Sequence, residues 1–160
     1  MENKVKGFLK RKQEMVFIIS LSVIITMLMV LFLNIPKIYQ ENSLGSLLLS
    51  IFGTLFGLLL TSYAILFGLI PVLSIDTLET SALENVNFRF FISLISNLLI
   101  ITLGLGIIFL GYENNWLLYI QIFLVIFSVL MFFLLIFYLF VLFKGAKNKA
   151  IKKGKKFNLS

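Results

Sequence analysis

The sequence predicts an all-α integral membrane protein with four transmembrane helices in an up-down-up-down bundle and both termini in the cytoplasm. Hydrophobic residues make up 60% of the 160 residues and charged residues only 13%, against about 45–50% and 25% in soluble domains. Four long stretches contain no Asp, Glu, Lys, Arg or His: 15–33, 44–75, 91–110 and 116–143. Lysine and arginine collect instead in the two tails, 1–14 and 144–160.

Each charge-free stretch is suited to a helix. A bilayer core of about 30 Å needs roughly 20 helical residues, and each stretch meets or nearly meets that length. A transmembrane barrel would need short segments that alternate apolar and polar residues, whereas 130–142 is apolar at every position. Because lipid offers no hydrogen bonds to the backbone, these segments are predicted to be helical.

The first stretch, 15–33, follows a basic tail that resembles the start of a signal peptide. Its apolar run is longer than that of a usual signal peptide, and the bulky residues after it provide no small-x-small cleavage signature. We therefore expect an uncleaved signal anchor.

The distribution of basic residues predicts the orientation. Residues 1–14 carry five and residues 144–160 carry seven, whereas 34–43 carries one and 111–115 carries none. Since Lys and Arg are retained on the cytoplasmic side, both tails are expected in the cytoplasm, which requires an even number of crossings. The connection 76–90 is then cytoplasmic and the two short loops are external.

The second stretch carries a stripe of small residues at helical spacing. The small-residue stripe consists of Ser46, Ser50, Gly53, Gly57, Thr61, Ala64 and Gly68. It includes a GxxxG motif, which allows close approach of helix backbones in lipid. The stripe is predicted either to pack against the first or third helix or to form a homo-oligomer interface or shared pathway. Pro71 predicts a kink or a helix end after Gly68.

The third stretch carries the clearest polar mark, Asn97, about two turns from its cytoplasmic end, with Gly104 one heptad further along the same face. An amide in hydrocarbon needs a partner, so we expect Asn97 to join helices. Its candidate partners are the hydroxyls of Thr54, Thr61, Ser62 and Tyr63. A role in coordinating an ion or ligand is the alternative.

The connection 76–90 is the most water-exposed non-basic segment, and spacing of its apolar residues predicts a short helix leading into the third span. Its charges are expected to be solvated or to form a cytoplasmic docking patch for a protein partner. The residues of that patch are Asp76, Glu79, Glu84 and Arg89.

The C-terminal tail is predicted to bind anionic lipid and to fix topology. The lysines concerned are Lys147, Lys149, Lys152, Lys153, Lys155 and Lys156. With one aromatic residue and no predicted fold in the tail, nucleic-acid binding is not expected.

The chemistry available to the chain is limited. With neither cysteine nor histidine, we expect no disulfide, no Cys/His zinc site, no metal site and no cofactor. No nucleophile–base arrangement is recognisable, so no enzyme is predicted. Small multidrug exporters use a carboxylate within the membrane, which the charge-free stretches lack. A small transporter is therefore a less favoured alternative.

The stretch GTLFGLLLTSYAILFGLIP at 53–71, followed by an acidic inner loop, resembles small four-span bacterial proteins, including membrane components of anti-phage defence systems of the Kiwa type. The resemblance implies an oligomeric sensor or effector in the bacterial inner membrane that works with a soluble partner in defence or stress. The resemblance implies no catalytic residue in this chain. A pore-forming or depolarising effector is the alternative expectation.

Overall fold

The computed structural model describes residues 2–33, 44–69, 80–110 and 115–157. Four α-helices account for nearly all of them: α1 (Glu2–Phe32), α2 (Leu44–Leu69), α3 (Thr80–Leu110) and α4 (Asn115–Phe157). Each contains a segment long and apolar enough to cross a bilayer: Arg11–Phe32, Gly45–Gly68, Leu83–Phe109 and Trp116–Gly145. The predicted all-α fold with four candidate spans is confirmed.

The helices extend further than the charge-free stretches. Helix α1 begins within the basic tail at Glu2, and α4 continues through the lysine-rich tail to Phe157, since lysine is a good helix former. The short helix expected before the third span is the first part of α3, which starts at Thr80. The described part of α2 ends at Leu69, two residues before Pro71. The predicted external loop 34–43 and residues 70–79 and 111–114 lie outside the described residues.

Helix α2 runs antiparallel to α3. Near the start of α2, Leu49 lies beside Gly104 in the last third of α3. Near the end of α2, Tyr63 donates a hydrogen bond to Asn87, close to the start of α3.

Helix α4 runs antiparallel to α3 in turn. Its Leu118 clusters with Ile107, whereas Leu135 shares a cluster with Phe90. Helix α1 follows α4 in the opposite direction, because Glu14 contacts Tyr138 while deeper in α1 Leu21 lines a groove with Leu130. The helix directions therefore alternate along the chain.

Helix α3 lies at the centre of the helix packing within the chain. It packs extensively against both α2 and α4, while α1 packs mainly on α4 and touches α3 lightly. The main apolar core joins three helices and consists of Leu59, Leu66, Val86, Phe90 and Leu135. We call the end at which α1 and α3 begin and α2 and α4 terminate the basic end, and the opposite end the far end.

Candidate functional site

A buried ion pair ties three helices together at the basic end. Arg89 of α3 is only 3% exposed, and its Nη2 donates to Oε2 of Glu14 in α1. The Tyr138 hydroxyl of α4 donates to the other carboxylate oxygen, Oε1, at 2.6 Å. The guanidinium carbon of Arg89 lies 3.5 Å from the centroid of the Tyr138 ring, within cation–π range. We call Glu14, Arg89 and Tyr138 the Glu14 cluster.

The chemistry of the Glu14 cluster suits a structural tie between helices. A buried charge is tolerated when it is paired and hydrogen-bonded, and Arg89 also donates from Nη1 to the Asn85 carbonyl at 2.8 Å. Both carboxylate oxygens of Glu14 are occupied by donors. The α1 span has few buried residues, and the Glu14 cluster gives it a polar contact with both α3 and α4.

The predicted docking patch is divided by the structure. Arg89 faces inward and is engaged by Glu14, so its guanidinium is not displayed to a partner. Glu84 is exposed on α3, while Asp76 and Glu79 lie outside the described residues.

Sequence reasoning missed Glu14 and Tyr138. Glu14 stands directly before the first charge-free stretch and Arg89 two residues before the third. Because both helices were predicted to start on the same side, two opposite charges at matched depth were a usable signal for this pair.

A second polar contact between helices lies at the same end. The Tyr63 hydroxyl of α2 donates to Oδ1 of Asn87 in α3 at 3.0 Å. The Tyr63 ring also meets Phe90 edge-to-face, with centroids 5.6 Å apart. Tyr63 was one of the predicted candidate partners of Asn97, but its hydroxyl bonds to Asn87 instead.

Asn97 is buried, as expected for an amide within a span. Its Nδ2 donates to the Ser93 carbonyl of its own helix at 2.7 Å, and its Oδ1 has no hydrogen-bond partner within the described part of the chain. Such a bond to the residue four positions back is common for short polar side chains. The expected bonds from Asn97 to α2 are therefore not formed.

The other three hydroxyls of α2 that were candidates for Asn97, those of Thr54, Thr61 and Ser62, face outward. Thr54 and Thr61 are exposed and donate to carbonyls of their own helix, those of Ser50 and Gly57, at 2.9 Å each. Ser62 is exposed as well.

Gly104 lies where three helices meet. A Cβ built on it would stand 2.9 Å from Nε2 of Gln121 in α4 and 3.0 Å from Cδ2 of Leu49 in α2. Real Cβ atoms do not make contacts that short, so this position in α3 excludes any side chain larger than hydrogen unless the neighbours move.

The small-residue stripe of α2 points away from the rest of the chain. All seven of its members are exposed: Ser46, Ser50, Gly53, Gly57, Thr61, Ala64 and Gly68. A Cβ built on any of the three glycines would meet no atom within 4 Å. The structure therefore does not use the stripe to pack α2 against α1 or α3.

A different face of α2 makes its contacts within the chain. The buried residues of α2 recur every seven positions, at Gly45, Phe52, Leu59 and Leu66, which forms a seam suited to a neighbouring helix. At about 100° per residue, the centre of the stripe lies roughly opposite this seam.

The predicted lipid-binding lysines extend from the basic end. Lys147 is exposed on α4. The backbones of the other five lie in the last part of α4, and their side chains are outside the described set: Lys149, Lys152, Lys153, Lys155 and Lys156. Among the described residues, no three acidic side chains converge in a way that could hold a metal ion.

The described residues thus form an all-α protein with four helices fit to span a membrane, a buried ion pair at one end and an exposed small-residue face on α2. Comparison with known proteins finds no matching family model, no similar curated protein and no similar solved structure.

Proposed function

We propose that this chain is a non-enzymatic, homo-oligomeric subunit of the bacterial cytoplasmic membrane, with both tails in the cytoplasm. The outward-facing stripe of α2 is the observation that carries the proposal. Four helices of spanning length and many large apolar side chains on the outer surface support the membrane location.

The surroundings of the stripe favour self-association. In lipid, helices associate through close packing and hydrogen bonds, and small residues permit the backbones to approach. The space next to Gly53 and Gly57 is open, and the opposite face of α2 is already occupied by α3. A second copy that presents the same stripe would fill this space through a symmetric interface.

The distribution of charge supports the orientation. Lys12, Lys144 and Lys147 are exposed at the basic end, and positive residues stay on the cytoplasmic side. On this side, the lysine tail of α4 would bind anionic lipid, and Glu84 would contribute to a surface for a cytoplasmic protein partner.

The assignment to a defence or stress system rests on the resemblance of segment 53–71 to small four-span bacterial membrane proteins. In that setting, the oligomer would sense or transmit a signal between the membrane and its soluble partner. The Glu14 cluster would then keep α1 fixed on α3 and α4 while α2 mediates assembly.

The substitution Gly57→Leu tests the proposal. We expect it to lower the oligomer size in mild detergent, measured by light scattering after gel filtration, because the leucine side chain would hold the two α2 backbones apart. Ser62→Leu is the matched control, since Ser62 is also small and exposed on α2 but lies off the stripe. If the oligomer of Gly57→Leu has the same mass as that of the unmodified chain, α2 is not part of the interface.

A pore-forming effector is the second candidate, favoured by the exposed hydroxyls of Ser50 and Thr61 on the stripe and of Thr54 beside it. They could line a wet path only between several copies. The test is expression of the chain alone, with the membrane potential reported by a potential-sensitive dye. Collapse of the potential would support the pore-forming function, whereas an unchanged potential would support the subunit.

A further inference from the structure

We infer that α1 and α4 hold one anionic diacyl phospholipid at the basic end, with its phosphate between Lys12 and Lys144 and its two acyl chains on either side of Phe17. The inference rests on the membrane location in the proposed function and concerns a surface distinct from the α2 stripe.

The first acyl-chain groove lies between α1 and α4 and measures about 540 Å³. Its walls are apolar: Phe17 and Leu21 contribute from α1, and Leu130, Phe133 and Phe137 from α4. The groove is open along one side, so a chain could enter it from the surrounding lipid.

A second groove of about 460 Å³ lies on the other side of the Phe17 ring. Val16, Phe17 and Ser20 line its length, and Lys12 and Gln13 border it toward the basic end. Gln13 and Phe17 line both grooves. Because the second groove is lined by α1 alone and meets the first at Gln13 and Phe17, the two offer separate room for two acyl chains below one headgroup.

Both helices place positive charge at that polar end. Lys12 borders the second groove directly. On α4, the groove residues Leu130 and Phe137 are seven positions apart, and the same spacing leads to Lys144, which is exposed. Seven residues are close to two helical turns, so Lys144 lies on the groove face of α4, beyond the end of the apolar walls.

The acidic residue at the groove does not oppose an anionic ligand. Glu14 lines the first groove, but its carboxylate is paired with Arg89 and also accepts a hydrogen bond from the Tyr138 hydroxyl. Ammonium groups at one end and apolar grooves below them therefore favour an anionic membrane lipid, for which phosphatidylglycerol is a suitable probe.

The experiment measures lipids retained by the full chain when it is released from bilayer discs of equal phosphatidylglycerol and phosphatidylcholine into a native mass spectrometer. We expect one phosphatidylglycerol per chain, retained in preference to phosphatidylcholine. The double variant Lys12→Gln/Lys144→Gln should weaken retention roughly 30-fold, the loss expected for two lysine charges near a lipid surface. Equal retention of the two lipids by the unmodified chain would overturn the inference.

The matched control is Lys152→Gln/Lys153→Gln, which removes the same charge from the tail of α4. It should keep the bound phosphatidylglycerol; an equal loss would show diffuse attraction to the tail and would refute a defined site. Leu130→Trp, which fills the first groove without altering charge, should also lower retention, and normal retention would exclude that groove.

The two proposals can fail separately. The Gly57→Leu variant should retain phosphatidylglycerol at the level of the unmodified chain, because the stripe and the grooves use different helices. Loss of lipid in the lysine variant should likewise leave the oligomer size unchanged, whereas coupled loss would mean that the lipid lies at the subunit interface and not at this site.

Discussion

Gly104 and Gly57 are both glycines in long apolar helices, yet their surroundings are opposite. At Gly104, a Cβ would collide with Gln121 and come within 3.0 Å of Leu49. At Gly57, the same Cβ would meet no atom within 4 Å. The first glycine lets three helices of one chain approach each other, and the second leaves a flat surface on the outside.

The difference follows from the positions of the two helices. Helix α3 has neighbours on several sides, and its span is the most buried of the four. Among the described helices, α2 packs extensively on α3 alone, through the seam of Phe52, Leu59 and Leu66. A small-residue motif therefore does not by itself show where a helix packs; in α2 the bulky residues of the opposite face make the contact within the chain.

Gly104→Leu should produce the largest effect on stability. The new side chain would displace Gln121 and Leu49, and overpacking of this kind costs about 3 kcal/mol of unfolding free energy. The measurement is reversible unfolding in mixtures of denaturing and mild detergent. Gly53→Leu is the matched control and should leave the unfolding free energy of the monomer nearly unchanged; a comparable loss there would mean that the stripe packs inside the chain.

Arg89→Met should have the next largest effect. It leaves the Glu14 carboxylate without its cationic partner; because that carboxylate is 24% exposed, we expect a loss of about 2–3 kcal/mol, at or below the lower limit for a fully buried pair. In a double-mutant cycle, adding Glu14→Gln should then cost less than it does alone. Glu84→Gln, an exposed charge on the same helix, should change stability by less than about 0.5 kcal/mol. Additive losses would show that Arg89 and Glu14 do not act together.

The helices and their directions could be predicted from the sequence because the physics behind them is local. Long charge-free stretches predict spans, and short connections with a strong asymmetry of basic residues predict alternating directions. The contacts in the structure follow this alternation, from Leu49 beside Gly104 to Glu14 beside Tyr138.

The polar contacts were harder to predict. Glu14 and Arg89 lie just outside the charge-free stretches, so the absence of charge does not mark them as part of a span. The structure nevertheless places both inside the helices, toward the basic end. The direction of the stripe depends on which helices are neighbours, a property of the whole chain. The seven-residue recurrence of Phe52, Leu59 and Leu66 was a readable sign that the opposite face of α2 is the inner one.

Asn97→Leu should have the smallest effect on the free energy of unfolding. The sign of the change tests whether Asn97 connects α3 to another helix. Asn97 bonds only to the Ser93 carbonyl of its own helix, and its Oδ1 is buried without a partner among the described residues. A leucine of similar size removes that unsatisfied oxygen and gains apolar contact, so we expect a change between zero and about 1 kcal/mol in the stabilising direction. A loss of 2 kcal/mol or more in the same unfolding measurement would mean that Asn97 joins helices after all. The cohesion of the chain would then depend on a deep polar contact, in addition to Gly104 and the Glu14 cluster.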